Sequence, residues 1–303
     1  MDLVSIIVPT YKRKPELVRR AIQSLLDQTY ENIEVVLVDD NAKPEHQEYR
    51  MMIEKMVEEL ANQKIQYIQN DKNLGGALSR NQGIKYAKGT YITFLDDDDM
   101  YEINKIDHQY HYMQEKQLDV CVSDLAIYNE KEQLIDYRSH HDIESFDCDY
   151  LFRYHLTKQI TGTPTFMFKK TILDKVGGFD DAIMGQEFYL MAKTIQSKAK
   201  IGYFEESNIR AYRYDMEAIS TGPNKIIGEK KLYQYKKQFF KQLKWIERNY
   251  IKCRHFAVMA VANKRNKKYL KALWYLLVAC LTNPFLSVKE ALNLQKRKKE
   301  NKK

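Results

Sequence analysis

The chain offers little to several large classes of protein. Its four cysteines, Cys121, Cys148, Cys253 and Cys280, form no CxxC pair and no metal-ligand spacing. That excludes a disulfide framework and a zinc ribbon and fits a reducing compartment. None of the seven histidines sits at a metal-ligand spacing, and His140-His141 reads as a solvated turn. There is no internal repeat, and the only low-complexity piece is the tail QKRKKENKK. The apolar run Ala272 to Leu281 has 10 residues, short of the roughly 20 that span a bilayer, and Thr282, Asn283 and Pro284 end it. The opening MDLVSIIVPTYKR has too short an apolar stretch, and no basic region before it, for a signal peptide. The expectation is a protein on the cytoplasmic side.

What is present is enough for a packed core. Hydrophobic residues make up 44% and aromatics 12% of 303 residues, which excludes a disordered or collagen-like chain. The net charge of +8 is unevenly placed, with +17 from Met216 to Lys303 and −9 before it. An acidic body therefore carries a strongly basic C-terminal part.

The first half alternates short apolar runs with helical patterns. Strands are expected at Val4–Val8, Val35–Val38, Ile65–Ile68 and Tyr91–Leu95. Helices are expected at Glu16–Leu26 behind Pro15, at Met51–Leu60, and at Ala77–Ala87 behind Gly75-Gly76. Repeated units of this kind predict an α/β fold with a mostly parallel sheet flanked by helices. Such sheets bind ligands beyond the carboxyl ends of their strands, and here those ends carry Pro9-Thr10-Tyr11, Asp39-Asp40 and Asp96 to Asp99. Further strands are expected at Val120–Tyr128, Thr165–Phe168 and Ile201–Phe204, with a helix near Glu187–Ile195. Beyond Pro223 the spacing of Leu232, Tyr235, Phe239, Leu243, Ile246 and Tyr250 is helical. The expected division is 1–222 for a catalytic domain and 223–303 for a basic helical appendage.

Four consecutive aspartates at a strand end repel one another unless they are solvated or share a cation. A divalent metal with hard oxygen ligands, which also takes substrate phosphates, fits the run FLDDDDMY.

At this point the sequence resembles the family 2 glycosyltransferases with a GT-A fold. VSIIVPTYKR is similar to that family's opening strand and EVVLVDDNA to its second. NLGGALSRNQGIKYAKGTYITFLDDDD resembles the segment leading into the DxD motif, and VGGFDDAI and GQEFYLMAK resemble later acceptor-side and catalytic-base segments. The resemblance runs from about residue 3 to residue 222. It implies that Tyr11 stacks on the nucleotide base, with Pro9 and Thr10 shaping the pocket, and that Asp40 accepts a hydrogen bond from the base. An aromatic face with one carboxylate suits uracil. Arg80 would reach the diphosphate with its donor fork.

Asp96 and Asp98 match the acidic positions of DxD. Asp98 would hold Mn²⁺ or Mg²⁺, and Asp96 the ribose or the metal's water shell. The run leaves the register open at Asp97, counted with the nucleotide site, and at Asp99. The family inverts, so one carboxylate should deprotonate the acceptor hydroxyl. Glu187 takes that position in a Gln186-Glu187 pair where Glu-Asp is more common, and Asp180, Asp181 and Asp215 are the fallbacks. A lid histidine common among relatives is replaced by Tyr214 and Asp215, with Arg213 as a substitute contact.

The resemblance implies a nucleotide-diphosphate sugar donor, a UDP-sugar first, and a surface-glycan, teichoic-acid-like or lipid-linked acceptor. A sugar-nucleotide nucleotidyltransferase would want a glycine-rich loop after strand one, and PTYKRK has none. A nucleic-acid-binding role for the basic part lacks a binding motif, and no nucleic-acid partner is expected. The C-terminal lysines and Trp274 suit peripheral contact with the inner face of an anionic membrane. Packing or homo-oligomerisation through these helices is the alternative.

Overall fold

The computed structural model describes residues 1–214 and 223–287. They divide into two compact units. The first comprises Met1–Leu151, Ile160–Asp181 and Glu187–Arg213; the second comprises Phe152–Gln159, Ala182–Gln186 and the described residues from Tyr214 onward. Asp215 and the tail lysines and arginine from Lys296 lie outside the described residues.

In chain order the first half contains β1 (Val4–Thr10), α1 (Pro15–Leu26), β2 (Ile33–Asp39), α2 (Gln47–Leu60), β3 (Ile65–Gln69), α3 (Gly76–Tyr86), β4 (Tyr91–Phe94), β5 (Met100–Tyr101) and α4 (Lys105–Glu115). Then follow β6 (Val120–Ser123), β7 (Leu125–Tyr128), β8 (Leu134–Arg138), α5 (Cys148–Lys158), β9 (Phe166–Lys169), α6 (Lys170–Val176), α7 (Gln186–Gln196), β10 (Ile201–Phe204) and β11 (Ile209–Tyr212). The main sheet has the order β10-β6-β9-β4-β1-β2-β3, and all its pairings are parallel except those of β9.

The apolar runs form strands because both faces of this sheet are covered, so no polar alternation is needed. Val4, Ile6 and Val8 with Val35 and Leu37 pack in one cluster with Val18, Ile22 and Leu25 of α1 and Ile53 of α2. By the period of two, Ile7, Val36 and Val38 face the other side, where α3 lies. Gly83 permits that approach, since an added Cβ there would overlap Ile7.

A second sheet, β5-β11-β7-β8, departs from the sequence reading. The single strand expected over Val120–Tyr128 is two, β6 in the main sheet and β7 in the small one. The break is at Asp124, fully buried, whose carboxylate accepts hydrogen bonds from the Tyr137 hydroxyl at 2.7 Å and the Tyr203 hydroxyl. Of the pair His140-His141, His141 is exposed as expected of a solvated turn, whereas His140 is partly enclosed. The His140 amide donates to the Tyr203 hydroxyl at 2.9 Å, and burial lowers that imidazole's pKa.

The second unit is built on α8 (Pro223–Gln238), α9 (Trp245–Arg265) and α10 (Tyr269–Thr282). The helical spacing from Leu232 to Tyr250 is interrupted between α8 and α9. Leu243 is extended, and the Lys244 amide donates to the Glu247 carboxylate at 2.6 Å, which starts α9 afresh. Tyr233 of α8 stacks on His255 of α9 at 4.0 Å, and His255 Nδ1 lies 2.9 Å from Glu229. Antiparallel α9 and α10 meet through buried Cys253 and Met259 and the small residues Ala272 and Ala279. Asn249 Nδ2 ties their far ends by donating to the Thr282 carbonyl at 2.8 Å. No helix among the described residues is long and apolar enough to cross a membrane.

Candidate active site

The main sheet reverses its order of connection at β1, whose neighbours are β2 and β4. The crevice beyond the carboxyl ends of β1 and β4 is the ligand position of such folds. Parallel register brings Thr10 opposite Asp39, and the Leu95 amide donates to the Ile7 carbonyl at 3.1 Å, so the aspartate run begins there. Pro9 shares the orientation of Ile7 and lies past the last residue of β4. No ladder donor is needed there, which is why a proline is tolerated in a central strand.

The aspartates form a tight turn, closed by the Asp99 amide donating to the Asp96 carbonyl at 3.1 Å. Their carboxylates are distributed among different partners. Arg80 Nη2 donates to Asp96, which remains partly exposed. Asp97 accepts from Thr10 Oγ1 at 2.7 Å and from Arg13 Nε at 2.8 Å. Arg13 Nη2 lies 3.0 Å from Asp98, whose side chain is 16% exposed. Asp99 accepts from the Tyr212 amide at 2.8 Å. Arg20 Nη2 donates to the Asp98 carbonyl at 2.6 Å, while its guanidinium lies 4.1 Å from the Tyr212 ring centre.

Enclosure of so much negative charge shifts its titration. Burial, with the Asp97 charge adding to it, pushes the Asp98 carboxyl up to about 7 despite Arg13. Burial also raises Asp97, and raises Asp99 strongly with Asp96 and Asp98 contributing. These are carboxylates whose ionised form asks for additional positive charge.

Arg13, Arg20 and Tyr212 are the members of this cluster that the sequence reading did not include. The basic stretch after β1 was a signal for Arg13. Nothing local pointed to Tyr212, which lies 113 residues from Asp99.

Tyr11 is half-buried and meets His46 edge-on at 5.4 Å. Lys12 Nζ is 5.3 Å from the Tyr11 ring centre. Asp40 requires a correction. Its carboxylate accepts from Asn70 Nδ2 and Asn73 Nδ2, each at 2.8 Å, and from the amides of Leu74 at 2.7 Å and Gly75 at 2.8 Å. Those four bonds fill the acceptor sites of a carboxylate, and Asp40 is only 2% exposed. It shapes the turn into α3 and keeps no acceptor position for a base.

In the run Arg80-Asn81-Gln82-Gly83, the arginine, asparagine and glycine each have a separate task. Arg80 points to the aspartate turn, and Gly83 lets α3 approach β1. Asn81 clamps Phe179, with Nδ2 donating to its carbonyl and Oδ1 accepting from its amide, both at 2.8 Å. That clamp holds the Gly-Gly-Phe turn, where Gly177 and Gly178 adopt φ of 75° and 63°. Glu187 is half-buried in the first turn of α7. Asp180 is tied to Lys193 at 2.6 Å, and Asp181 is exposed. The Arg213 amide donates to the Tyr128 carbonyl at 2.9 Å, and its Nη2 lies 3.7 Å from Asp136.

The chain is similar to known proteins over most of its length. The family model described as glycosyl transferase family 2 matches residues 5–178. An uncharacterized glycosyltransferase of Methanocaldococcus jannaschii is 26% identical over 236 residues, covering 77% of each chain. The glycosyltransferase GlyG of Streptococcus pneumoniae is 28% identical over 228 residues, covering 70% of this chain and 71% of that one. A UDP-Glc:alpha-D-GlcNAc-diphosphoundecaprenol beta-1,3-glucosyltransferase, WfaP of Escherichia coli, is 36% identical over 114 residues, covering 38% and 42%. Among solved structures, S. aureus TarS 1-349 in complex with UDP-GlcNAc superposes with a TM-score of 0.61 at 16% identity, covering 92% of this chain and 91% of that one. The architecture is thus the mixed α/β GT-A fold with a helical C-terminal region.

Proposed function

The chain belongs to glycosyl transferase family 2 and is a glycosyltransferase, and from that premise we propose the reaction it performs. A sugar passes from a nucleotide-diphosphate donor, a UDP-sugar, to a hydroxyl of a surface-glycan, teichoic-acid-like or lipid-linked acceptor, with inversion. The observation that carries this reading is the Asp96–Asp99 turn at the switch point of the sheet, enclosed and short of positive charge despite Arg13 and Arg80. The activity for which WfaP is named, with a UDP-glucose donor and a lipid-diphosphate acceptor, supports the same substrate classes.

The donor set fits a hard divalent cation, since it consists of carboxylate oxygens whose ionised form is costly. Among the described residues no group of three or more His, Cys, Asp or Glu is arranged to hold a metal. The fit is therefore to Mn²⁺ or Mg²⁺ shared between one or two carboxylates and the donor's phosphates. Asp98 would hold it, with Asp96 on its water shell or on the ribose. When bound, the ion supplies positive charge that stabilises the leaving diphosphate.

The protein's own residues orient the rest. Tyr11 offers its face to the base, with Pro9 and Thr10 at the pocket wall, and Thr10 also fixes Asp97. Arg80 directs its fork toward the diphosphate. Glu187 takes the proton from the attacking acceptor hydroxyl, its longer side chain replacing the aspartate more common there. The lysine-rich C-terminal unit holds the enzyme peripherally on the inner face of an anionic membrane, where a lipid-linked acceptor resides.

A screen of nucleotide sugars by thermal shift and hydrolysis, with and without manganese, tests the donor class. UDP-sugars should stabilise the chain and release UDP in a manganese-dependent manner. Stabilisation by GDP- or CMP-sugars alone would overturn the uridine assignment.

A further inference from the structure

The second unit contains a cleft of about 480 Å³ between its three helices. Ile226 of α8, Met259 of α9 and Leu270, Trp274 and Tyr275 of α10 supply apolar walls. Lys230, Lys268 and Lys271 line the same cleft, and all three are exposed.

Two features separate this cleft from an ordinary gap between helices. Among the described residues its charge is uncompensated. The only acidic residues of the unit among the described residues are Glu229 and Glu247. Glu229 is held by His255 at 2.9 Å, and Glu247 accepts from the Lys244 amide. None of the three lysines has an acidic partner among the described residues. The cleft also opens beside an apolar face that water would not favour. On α10, Leu270 is 86% exposed, Trp274 57% and Leu281 84%, with Leu273 and Leu277 also exposed.

A cavity that is apolar along its walls and cationic along the same rim matches an anion joined to an alkyl chain. We propose that this cleft binds one anionic phospholipid, its phosphate among Lys230, Lys268 and Lys271 and the start of its chains along Ile226, Leu270 and Trp274. The proposal rests on the membrane placement given above and adds to it a discrete site. A second copy of the chain is a poorer occupant, since self-pairing through this face would oppose lysine to lysine. Lipid removes that repulsion and covers the exposed leucines at the same time. At about 1.5 Å per residue, α10 is roughly 21 Å long and can lie in the interface without crossing it.

The test is calorimetry of the full chain in excess UDP with dihexanoyl-phosphatidylglycerol below its micelle concentration. Dihexanoyl-phosphatidylcholine, glycerol 3-phosphate and inorganic phosphate form the comparison arms. Saturable binding of one phosphatidylglycerol per chain is expected, with the other three at least about tenfold weaker. Lys230→Gln with Lys271→Gln should weaken it roughly 10- to 30-fold, from about 1 kcal/mol per charge. Lys264→Gln with Lys267→Gln, the same charge change outside the cleft, should leave it within about twofold. Absence of saturable binding overturns the proposal, as does equal binding of the free phosphates or equal loss in the two double variants. Flotation on phosphatidylglycerol vesicles separates the two readings. If the wild type floats while the short-chain lipid is ignored, the membrane placement stands and the cleft site falls. If the lipid binds in the cleft but vesicles are ignored, the site stands and the placement falls.

Discussion

Removal of Arg13 is the perturbation that most directly probes how the aspartate turn is held. Its guanidinium bridges Asp97 at 2.8 Å and Asp98 at 3.0 Å, while those carboxylates are 6% and 16% exposed. At an effective dielectric constant of about 20, each contact contributes roughly 5 kcal/mol of gross attraction. Desolvation offsets most of that, and the Arg13 side chain is 32% exposed, which weakens the remainder by solvent screening. Arg13→Ala should therefore cost about 2–3 kcal/mol at pH 8, mainly because two enclosed charges lose their common partner. The measurement is urea unfolding of the full chain in EDTA without nucleotide. Arg13→Lys should recover less than half of the loss, since a single ammonium cannot reproduce the two-pronged contact. Asp98→Asn placed in the Arg13→Ala background should restore about 1 kcal/mol or more, a non-additivity that a double-mutant cycle reads directly. A loss below about 0.5 kcal/mol, fully additive with Asp98→Asn, would refute the claim that this arginine balances the turn.

Three further outcomes are expected. Glu187→Gln should lower transfer roughly 10²-fold or more while leaving UDP affinity nearly unchanged, because a base acts in the transition state; retained transfer would move the base to another carboxylate. Asn81→Ala should destabilise the chain by about 1–3 kcal/mol, because the Phe179 amide and carbonyl lose their shared partner; an unchanged urea midpoint would contradict the clamp. Burial, with Arg254 adding to it, lowers the Lys236 ammonium to about 7 against the opposing effect of Glu229. Between about pH 7 and the ordinary lysine value the unfolded chain thus binds more protons, so this residue makes stability rise with pH in that window, and its full cost is present below it. Lys236→Met should accordingly raise the unfolding free energy obtained from urea titration at pH 6 by roughly 2–4 kcal/mol, with the gain vanishing near pH 10; a gain independent of pH would show that the charge is not the cause.

The main sheet was legible because strands covered on both faces leave continuous apolar runs, as in Val4 to Val8. The aspartate run was legible because its members are adjacent in the chain. What escaped was set by long-range contacts. Asp40 resembles a base acceptor in local sequence, yet four donors from Asn70 to Gly75, some 30 residues on, consume its carboxylate. Tyr212 joins the site through a backbone amide, which no residue type announces. The split of Val120–Tyr128 between two sheets turns on one buried aspartate and two distant tyrosines. A propensity reading carries no term for such an arrangement.

The central claim is that the Asp96–Asp99 turn binds a UDP-sugar together with a divalent cation through Asp98. Calorimetric titration of UDP into wild type and Asp98→Asn, each with Mn²⁺ and with EDTA, tests it most directly. Manganese should strengthen UDP binding at least about tenfold in the wild type and have little effect in Asp98→Asn. Equal UDP affinity in EDTA and in manganese, or an undiminished manganese response in Asp98→Asn, would contradict the account.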